Sequence, residues 1–247
     1  MEWAAITYPG TRPVNEDCTG VADGQQVQCF IVADGLGGHG KGEIASRLAV
    51  EAFQKVFQQQ EEAFLNQELP MEDCMRAAFT QAQEDILAEQ LRTHSAMQMK
   101  TTVVALAVGE KNVLWGHIGD TRLYGFRFHR VKTVTRDHSI PQMLVDIKEI
   151  KRNEIRNHPD RNKLLRVLGV SGDNPRYELS NLKKRRSFQA FLLCTDGFWE
   201  LILEKEMQQC LKKANSAQQW LELMAEIVRC RGEGREMDNF SAIGVLL

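Results

Sequence analysis

The residues of this sequence that could do chemistry are carboxylates placed at the ends of apolar runs. Asp34 follows "FIVA", Asp120 follows "WGHIG", Asp196 follows "FLLCT" and Asp238 precedes "FSAIGVLL", while Glu16 and Asp17 sit together in "RPVNEDC". An ionised side chain at the end of a buried strand is costly unless a cation meets it. Hard divalent cations such as Mg²⁺ or Mn²⁺ take oxygen ligands. Asp34-Gly35, Gly119-Asp120 and Asp196-Gly197 each set an aspartate beside a glycine, where a bare backbone lets a carbonyl approach a cation too. Taken singly, each Asp-Gly reads as a hairpin turn; the recurrence points instead to a metal-assisted phosphoryl hydrolase. Two cations close together lower the pKa of a water between them and brace in-line attack on phosphorus. Arg12, in the segment before Glu16, can fork two hydrogen bonds to phosphate oxygens.

The stretch "FIVADGLGGHG" also spells G-x-G-x-x-G at Gly35, Gly37 and Gly40, the spacing of a dinucleotide loop. Three features oppose that reading. Asp34 would repel a bare pyrophosphate, a second helix rather than a strand follows the first helix, and no acidic residue ends a second strand to bind ribose. "DHS" at 137–139 is too local for a catalytic triad, and Asp137 or Ser139 is expected to cap a helix. "KKRR" at 183–186 is expected as a solvated hairpin turn between "YELSNL" and "AFLLCT" rather than a site for an acidic partner. Trp199 is expected to fill core beside Asp196 without touching substrate.

Composition narrows the class. The 247 residues carry a formal net charge of -2, so nothing global argues for nucleic acid or a membrane as partner. No apolar stretch approaches the roughly 20 residues that span a bilayer, and "MEWAAITYPG" lacks the basic start of a signal peptide. Six cysteines without a C-x-x-C pair argue against zinc and against a disulfide framework. Cys29 and Cys194 read as core residues, and a reducing cytoplasm is the expected location.

The positioning elements follow from periodicity. "WAAITY", "VQCFIVA" (ending at Asp34), "AFLLCT" and "FSAIGVLL" predict strands, the last two central. Spacing of apolar residues predicts helices over 43–57, about 71–91, 204–211 and 217–230. "TTVVALAV", "NVLWGHIG", "TRLYGFRF" and "VKTVT" predict an antiparallel meander. Residues 139–163 are charged and weakly periodic, which predicts a surface insertion. Strands grouped in runs with helices outside them indicate an α+β class.

The ordered set "RPVNED" (12–17), "DGLGGHGKGEIAS" (34–46), "TT" (101–102), "GDTR" (119–122), "DHS" (137–139), "HPDRNKLLRVLG" (158–169), "CTDGFWE" (194–200) and "DNFSAIGVLL" (238–247) resembles the bacterial type 2C metal-dependent protein phosphatases, the PPM family. It spans the chain from residue 12 to the end. The resemblance implies one domain over 1–247, folded as a four-layer αββα sandwich of two antiparallel sheets flanked by helices, with 139–163 as a flap bordering the substrate cleft. It implies serine/threonine phosphatase activity on proteins with two Mn²⁺ or Mg²⁺ ions and a third, weaker one. The expected partners are phosphorylated proteins, targets of a bacterial serine/threonine kinase, and the chain is expected to act as a monomer.

Carried over by position, Asp34 bridges two metals, with the Gly35 carbonyl and Glu16 or Asp17 on the second. Asp196 and Asp238 complete the first, and Asp120 with Asp196 holds the third. Arg12 binds the phosphate, so that Arg12, Asp34 and Asp196 are the expected catalytic residues. Three positions depart from the pattern. Leu36 stands where many eukaryotic members have a histidine proposed as general acid, and His39, three residues on, is left as an acid or as an orienting group. Lys148 replaces a flap glycine, and Lys100 replaces a glycine before the threonine pair. No metal ligand is lost, which favours an active enzyme over a pseudophosphatase that only docks phosphorylated partners.

Overall fold

Period-two alternation along the strands builds two sheets that share one dry interface. The computed structural model describes residues 1–37, 41–60, 70–94, 99–172 and 174–247. One sheet is made of β1 (Glu2–Tyr8), β6 (Arg122–Arg127), β7 (Arg130–Val134), β10 (Ala190–Cys194) and β11 (Phe240–Leu246), in the order β1-β11-β10-β6-β7. The other contains β2 (Asp17–Asp23), β3 (Val27–Leu36), β4 (Lys100–Gly109), β5 (Asn112–Ile118) and β8 (Glu178–Leu179), in the order β2-β3-β4-β5-β8, with β9 (Lys183–Lys184) also on β5. Helices α1 (Lys41–Gln59) and α2 (Met71–Thr93) cover the second sheet. Helices α5 (Glu204–Lys213) and α6 (Ala217–Gly232) cover the first, while the short α3 (Ile140–Asp146) and α4 (Asp196–Trp199) lie in the connections.

The strand faces sort the core into three layers. Phe30 and Val32 of β3 and Val104 and Leu106 of β4 meet Leu193 of β10 and Ile243 of β11 between the sheets. The intervening residues Cys29, Ile31 and Ala33 turn the other way, onto Phe53 of α1 and Phe79 of α2. On the far side, Leu192, Cys194 and Ala242 pack against Trp220 and Met224 of α6. Each large apolar side chain so buried contributes about 1.5–3 kcal/mol relative to exposure. The αββα architecture expected from the sequence is therefore the one observed.

Several local expectations change. The four segments after Lys100 do not form one meander: β4 and β5 pair in one sheet, β6 and β7 in the other, so the chain crosses between sheets at 119–121. Gly119 makes that crossing with φ +98, where an added Cβ would lie 2.4 Å from Thr102. "KKRR" is no hairpin turn either, because Lys183–Lys184 pairs with β5 while "AFLLC" belongs to the opposite sheet. Strand β3 runs past Asp34 to Leu36, since Asp34, Gly35 and Leu36 stay paired with Thr102, Thr101 and Lys100. Strand β2 was not legible in the sequence, its residues DCTGVAD being polar and glycine-containing. Phe128, read as strand, instead sits in the β6–β7 turn with His129, both at positive φ.

Segment 139–163 is less superficial than its charge predicts. Ser139 caps α3 by accepting the Gln142 N–H at 3.4 Å, which selects it over Asp137 as the cap. A 3₁₀ turn at Arg152–Asn157 buries Ile155 in the core over the first sheet. Lys148, in the position where the resemblance expects glycine, has φ +64, a left-handed conformation that costs an L-residue about 1–2 kcal/mol. Replacement by glycine removes that strain against an entropic loss of roughly 0.5–1 kcal/mol. Lys148→Gly should therefore hold or slightly raise the unfolding midpoint, whereas Lys148→Val should lower stability by about 1 kcal/mol or more, as read by thermal denaturation.

Candidate metal centre and active site

The apolar layer between the sheets ends in a polar one. Two residues beyond Val32 on the same face of β3 stands Asp34, and two beyond Leu193 on β10 stands Thr195. Asp17 of β2 lies directly across from Asp34 in the ladder. Thr195 Oγ1 donates to Asp17 Oδ2 at 2.9 Å and accepts the Ser241 N–H at 3.0 Å, tying the two sheets together under the site. Thr101 Oγ1 donates to the Asp34 carbonyl at 2.8 Å, and Thr102 Oγ1 accepts the Asp34 N–H at 3.3 Å. The threonine pair thus fixes the backbone of Asp34 from the neighbouring strand.

A cavity of about 530 Å³ opens above this layer. Arg12, Glu16, Asp34, Gly35, Asp120, Asp196 and Asp238 line it. Of the expected site residues, Asp17 alone among those described is buried beneath the cavity instead of lining it. His39 lies outside the described residues. Leu36 lines the cavity with Asn162 and Leu164, so the end of the charged segment borders it. No histidine or cysteine is among the described lining residues, and oxygen is the donor throughout.

Glu16 and Gly35 are seated by α1. An added Cβ on Gly35 would come within 2.2 Å of the Gly42 carbonyl oxygen and 2.6 Å of that of Glu16, so only glycine lets β3 end between them. The Glu16 carboxylate accepts the Gly42 N–H at the start of α1, where the helix dipole favours an anion. Ser46 Oγ donates to the Glu16 carbonyl at 2.6 Å. Asn239 staples the N-terminal segment: its Oδ1 accepts the Glu16 N–H at 2.8 Å, and its Nδ2 donates to the carbonyls of Pro9 and Val14. Arg12 Nη2 bonds Asp238 Oδ2 at 2.9 Å at the cavity mouth.

Asp120 is held by a buried network. His138 clamps the preceding glycine, its N–H donating to the Gly119 carbonyl at 2.8 Å while its Nδ1 accepts the Gly119 N–H at 3.1 Å. Trp199 Nε1 donates to the Asp120 carbonyl at 3.0 Å, and the Arg122 guanidinium lies 3.4 Å over the Trp199 ring. Arg122 forks onto Asp137 at 2.8 and 2.6 Å, both side chains buried. "DHS" is therefore scaffold, and Trp199 fills core as expected. His117 and His138 stack at 4.8 Å beside Glu178, a separate group of possible ligands. His117 Nε2 faces the Arg136 carbonyl at 2.7 Å and His138 Nδ1 is taken by Gly119, so each ring already has one nitrogen engaged.

The electrostatics of the carboxylates are one-sided. Burial, then the neighbouring Asp196 and Asp17, push Asp34 well above the usual carboxylate range. Burial and then Asp196 do the same for Asp120. Burial and Asp238 move Asp196 up to about 6. Asp17 rises to about 7 through burial, despite hydrogen bonds from Ser241 and Thr195. A cluster that resists ionisation and offers only oxygen fits hard divalent cations, whose charge would reverse each of these shifts.

Comparison with known proteins agrees with this geometry. The family model described as protein phosphatase 2C matches residues 11–239. A serine/threonine phosphatase, stp, of Listeria monocytogenes is 30% identical over 234 residues, covering 94% of this chain and 90% of that protein. The crystal structure of the serine/threonine phosphatase Stp1 of Staphylococcus aureus superposes with a TM-score of 0.85 at 24% identity, covering 100% of this chain and 94% of that one, which speaks to the fold. The catalytic domain of the serine/threonine protein phosphatase PstP, in complex with two manganese ions, gives a TM-score of 0.74 at 25% identity over 98% and 96% of the two chains.

Two consequences are measurable. In metal-free protein, Asp196 and Asp17 keep protons in the fold that the unfolded chain releases from 3.8 upward. The stability held by these two protons should then fall as pH rises from about 4 to about 7. Asp34 and Asp120, raised further, should extend the fall above that range, while His138, lowered to about 4 by burial, acts in the opposite sense below 6.5. Added Mn²⁺ should flatten the fall in thermal melts. Separately, Asp137→Ala strands the buried Arg122 guanidinium and should cost about 3–5 kcal/mol in denaturant titrations, with Arg122→Met/Asp137→Leu losing less.

Proposed function

This chain belongs to the protein phosphatase 2C family, and we propose that it hydrolyses phosphoserine and phosphothreonine in protein substrates. The observation that carries the reading is the convergence of Asp34, Asp196, Asp238 and Arg12 on one cavity. Asp34, Asp196 and Asp238 would hold one divalent cation; Asp34, Glu16 and the Gly35 carbonyl would hold a second. Asp120 with Asp196 would hold a third, weaker one. Glu16 is preferred to Asp17 because it lines the cavity, whereas Asp17 is buried and committed to Thr195. The manganese ions of the PstP complex support Mn²⁺ as one such cation. When bound, these cations supply acidification of a water and compensation of phosphoryl charge.

The protein's own residues bind and orient. Arg12 is half exposed at the mouth and paired with Asp238; a cation on Asp238 would leave the guanidinium free to fork onto two phosphoryl oxygens. Thr101 and Thr102 hold the backbone of Asp34, so its carboxylate would receive the cations without reorganisation. Asn162 and Leu164, at the rim, lie where residues flanking a phosphorylated side chain would run. Such substrates would come from a serine/threonine kinase in the same compartment, and the chain is read as a cytoplasmic monomer. Among the described residues no helix is long and apolar enough to cross a membrane.

The purified protein should hydrolyse p-nitrophenyl phosphate and phosphothreonine peptides only with added Mn²⁺ or Mg²⁺. Asp196→Ala should abolish turnover. Arg12→Ala should lower kcat/KM by roughly 10–100-fold, the worth of a charge-assisted hydrogen bond to phosphate, with most of the change in KM. Phosphopeptide binding without any metal-dependent turnover would instead identify a docking protein.

A further inference from the structure

The whole-chain charge of -2 conceals an uneven distribution. Strands β5 and β10 run toward the carboxylate cavity, so their first residues, with the β4–β5 and β6–β7 turns, lie at the opposite pole, about 20 Å away for a seven-residue strand. That pole is one connected surface. The Arg185 N–H donates to the Lys111 carbonyl at 2.8 Å, Lys132 Nζ to that of Ser187 at 3.2 Å, and the His129 N–H to Gln189 Oε1 at 3.0 Å.

Cations dominate this surface. Segment 183–186 supplies Lys183, Lys184, Arg185 and Arg186, and Lys111 stands across from them in the β4–β5 turn. The β6–β7 hairpin adds Arg127, Arg130 and Lys132. Among the described residues none of these eight is ion-paired; Arg127 instead lies 4.9 Å over the Phe128 ring and Lys132 lies 4.7 Å over Phe188. A groove of about 660 Å³ runs between Lys111 and Arg186, floored by Phe188 and Leu247, with Glu110 the one carboxylate side chain in its wall. Of the other acids at this pole, Asp23 accepts from Gln28 and Glu2 accepts the Ala217 N–H at 2.7 Å, while Glu72 and Asp73 stand in the first turn of α2, whose Met71 reaches Gly109.

The hairpin tip carries a second observation. Phe128 and His129 form the two-residue turn with φ +52 and +58, a geometry that asparagine and glycine adopt without strain. Phe128 is 75% exposed there, and Leu182, beside the 183–186 run, is 41% exposed. A strained turn that projects a phenyl ring between two arginines has the amphipathic chemistry of the lipid headgroup layer.

We propose that this pole docks on an anionic lipid surface, the cations facing acidic headgroups and Phe128 entering the interface. A diffuse set of lysines and arginines outside ion pairs suits a delocalised negative surface, and the exposed aromatic tip favours lipid over a soluble polyanion. The docked enzyme would present its carboxylate cavity away from the membrane, so the inference does not depend on the activity assigned to that cavity.

Sedimentation of the full chain with vesicles tests it. Protein should bind phosphatidylcholine vesicles containing phosphatidylglycerol, not phosphatidylcholine alone, and binding should weaken as salt rises. Lys183→Glu/Lys184→Glu/Arg186→Glu should reduce vesicle affinity by about 100-fold while p-nitrophenyl phosphate hydrolysis stays unchanged, which shows that the variant is folded. Phe128→Ser should weaken vesicle binding and leave binding to polyglutamate and to single-stranded RNA unaltered. Equal sedimentation of wild type and the charge-reversed variant overturns the proposal. So does binding to polyglutamate or RNA without binding to vesicles, or vesicle binding that ignores Phe128→Ser.

Discussion

Mutual repulsion among buried and half-buried carboxylates is the constraint around which the molecule is arranged. Asp17, Asp34, Asp120 and Asp196 converge from both sheets, and burial together with their neighbours lifts each of them above the usual carboxylate range. Arg12 is the only basic residue among the described residues lining the cavity, and it sits at the rim on Asp238. A fold that tolerates such a cluster must hold each carboxylate where repulsion would otherwise spread them. The interaction that rewards this geometry is a divalent cation.

The holding is done by polar contacts laid over an apolar foundation. The intersheet core of Phe30, Val32, Leu193 and Ile243 sets the spacing of the sheets, and the next residues along the same faces are Asp34, Thr195 and Ser241. Each cavity residue then has its own brace: Thr101 and Thr102 for Asp34, the start of α1 for Glu16, and Asn239 for the segment that carries Arg12. Asp120 depends on the longest chain of support, from Gly119 through His138 and from Trp199 through Arg122 to Asp137. Preorganisation of this kind is how a site keeps fixed charges aligned without reorganising during reaction.

The same strand alternation that gathers carboxylates at one pole leaves the other to turns, and those turns are basic. Lys111, the 183–186 run and the β6–β7 hairpin are far apart in sequence and adjacent in the fold. Net charge sums over both poles and so reports neither, which is why a value of -2 argued against anionic partners. The strain at Lys148 and at Phe128-His129 also sits outside the core, in connections where the sheets do not depend on it.

Much of the fold and most of the site were legible because their signals are local. Ala45, Ala49 and Phe53 fall on one face of α1 by spacing alone, and Asp34, Asp120, Asp196 and Asp238 announce themselves as acids at the ends of apolar runs. Strand β2 was not legible, since DCTGVAD owes its conformation to pairing with β3 more than to its own residues. Which sheet each of the four strands after Lys100 joins was equally hidden, because a strand's alternation does not name its partner. The sequence by itself determined the chemistry, an oxygen-donor set with one arginine, since that follows from residue type. Only the tertiary structure decided that Glu16 lines the cavity while Asp17 supports it from below, because Thr195 of the opposite sheet draws in Asp17 and the start of α1 holds Glu16, and both partners are distant in the sequence.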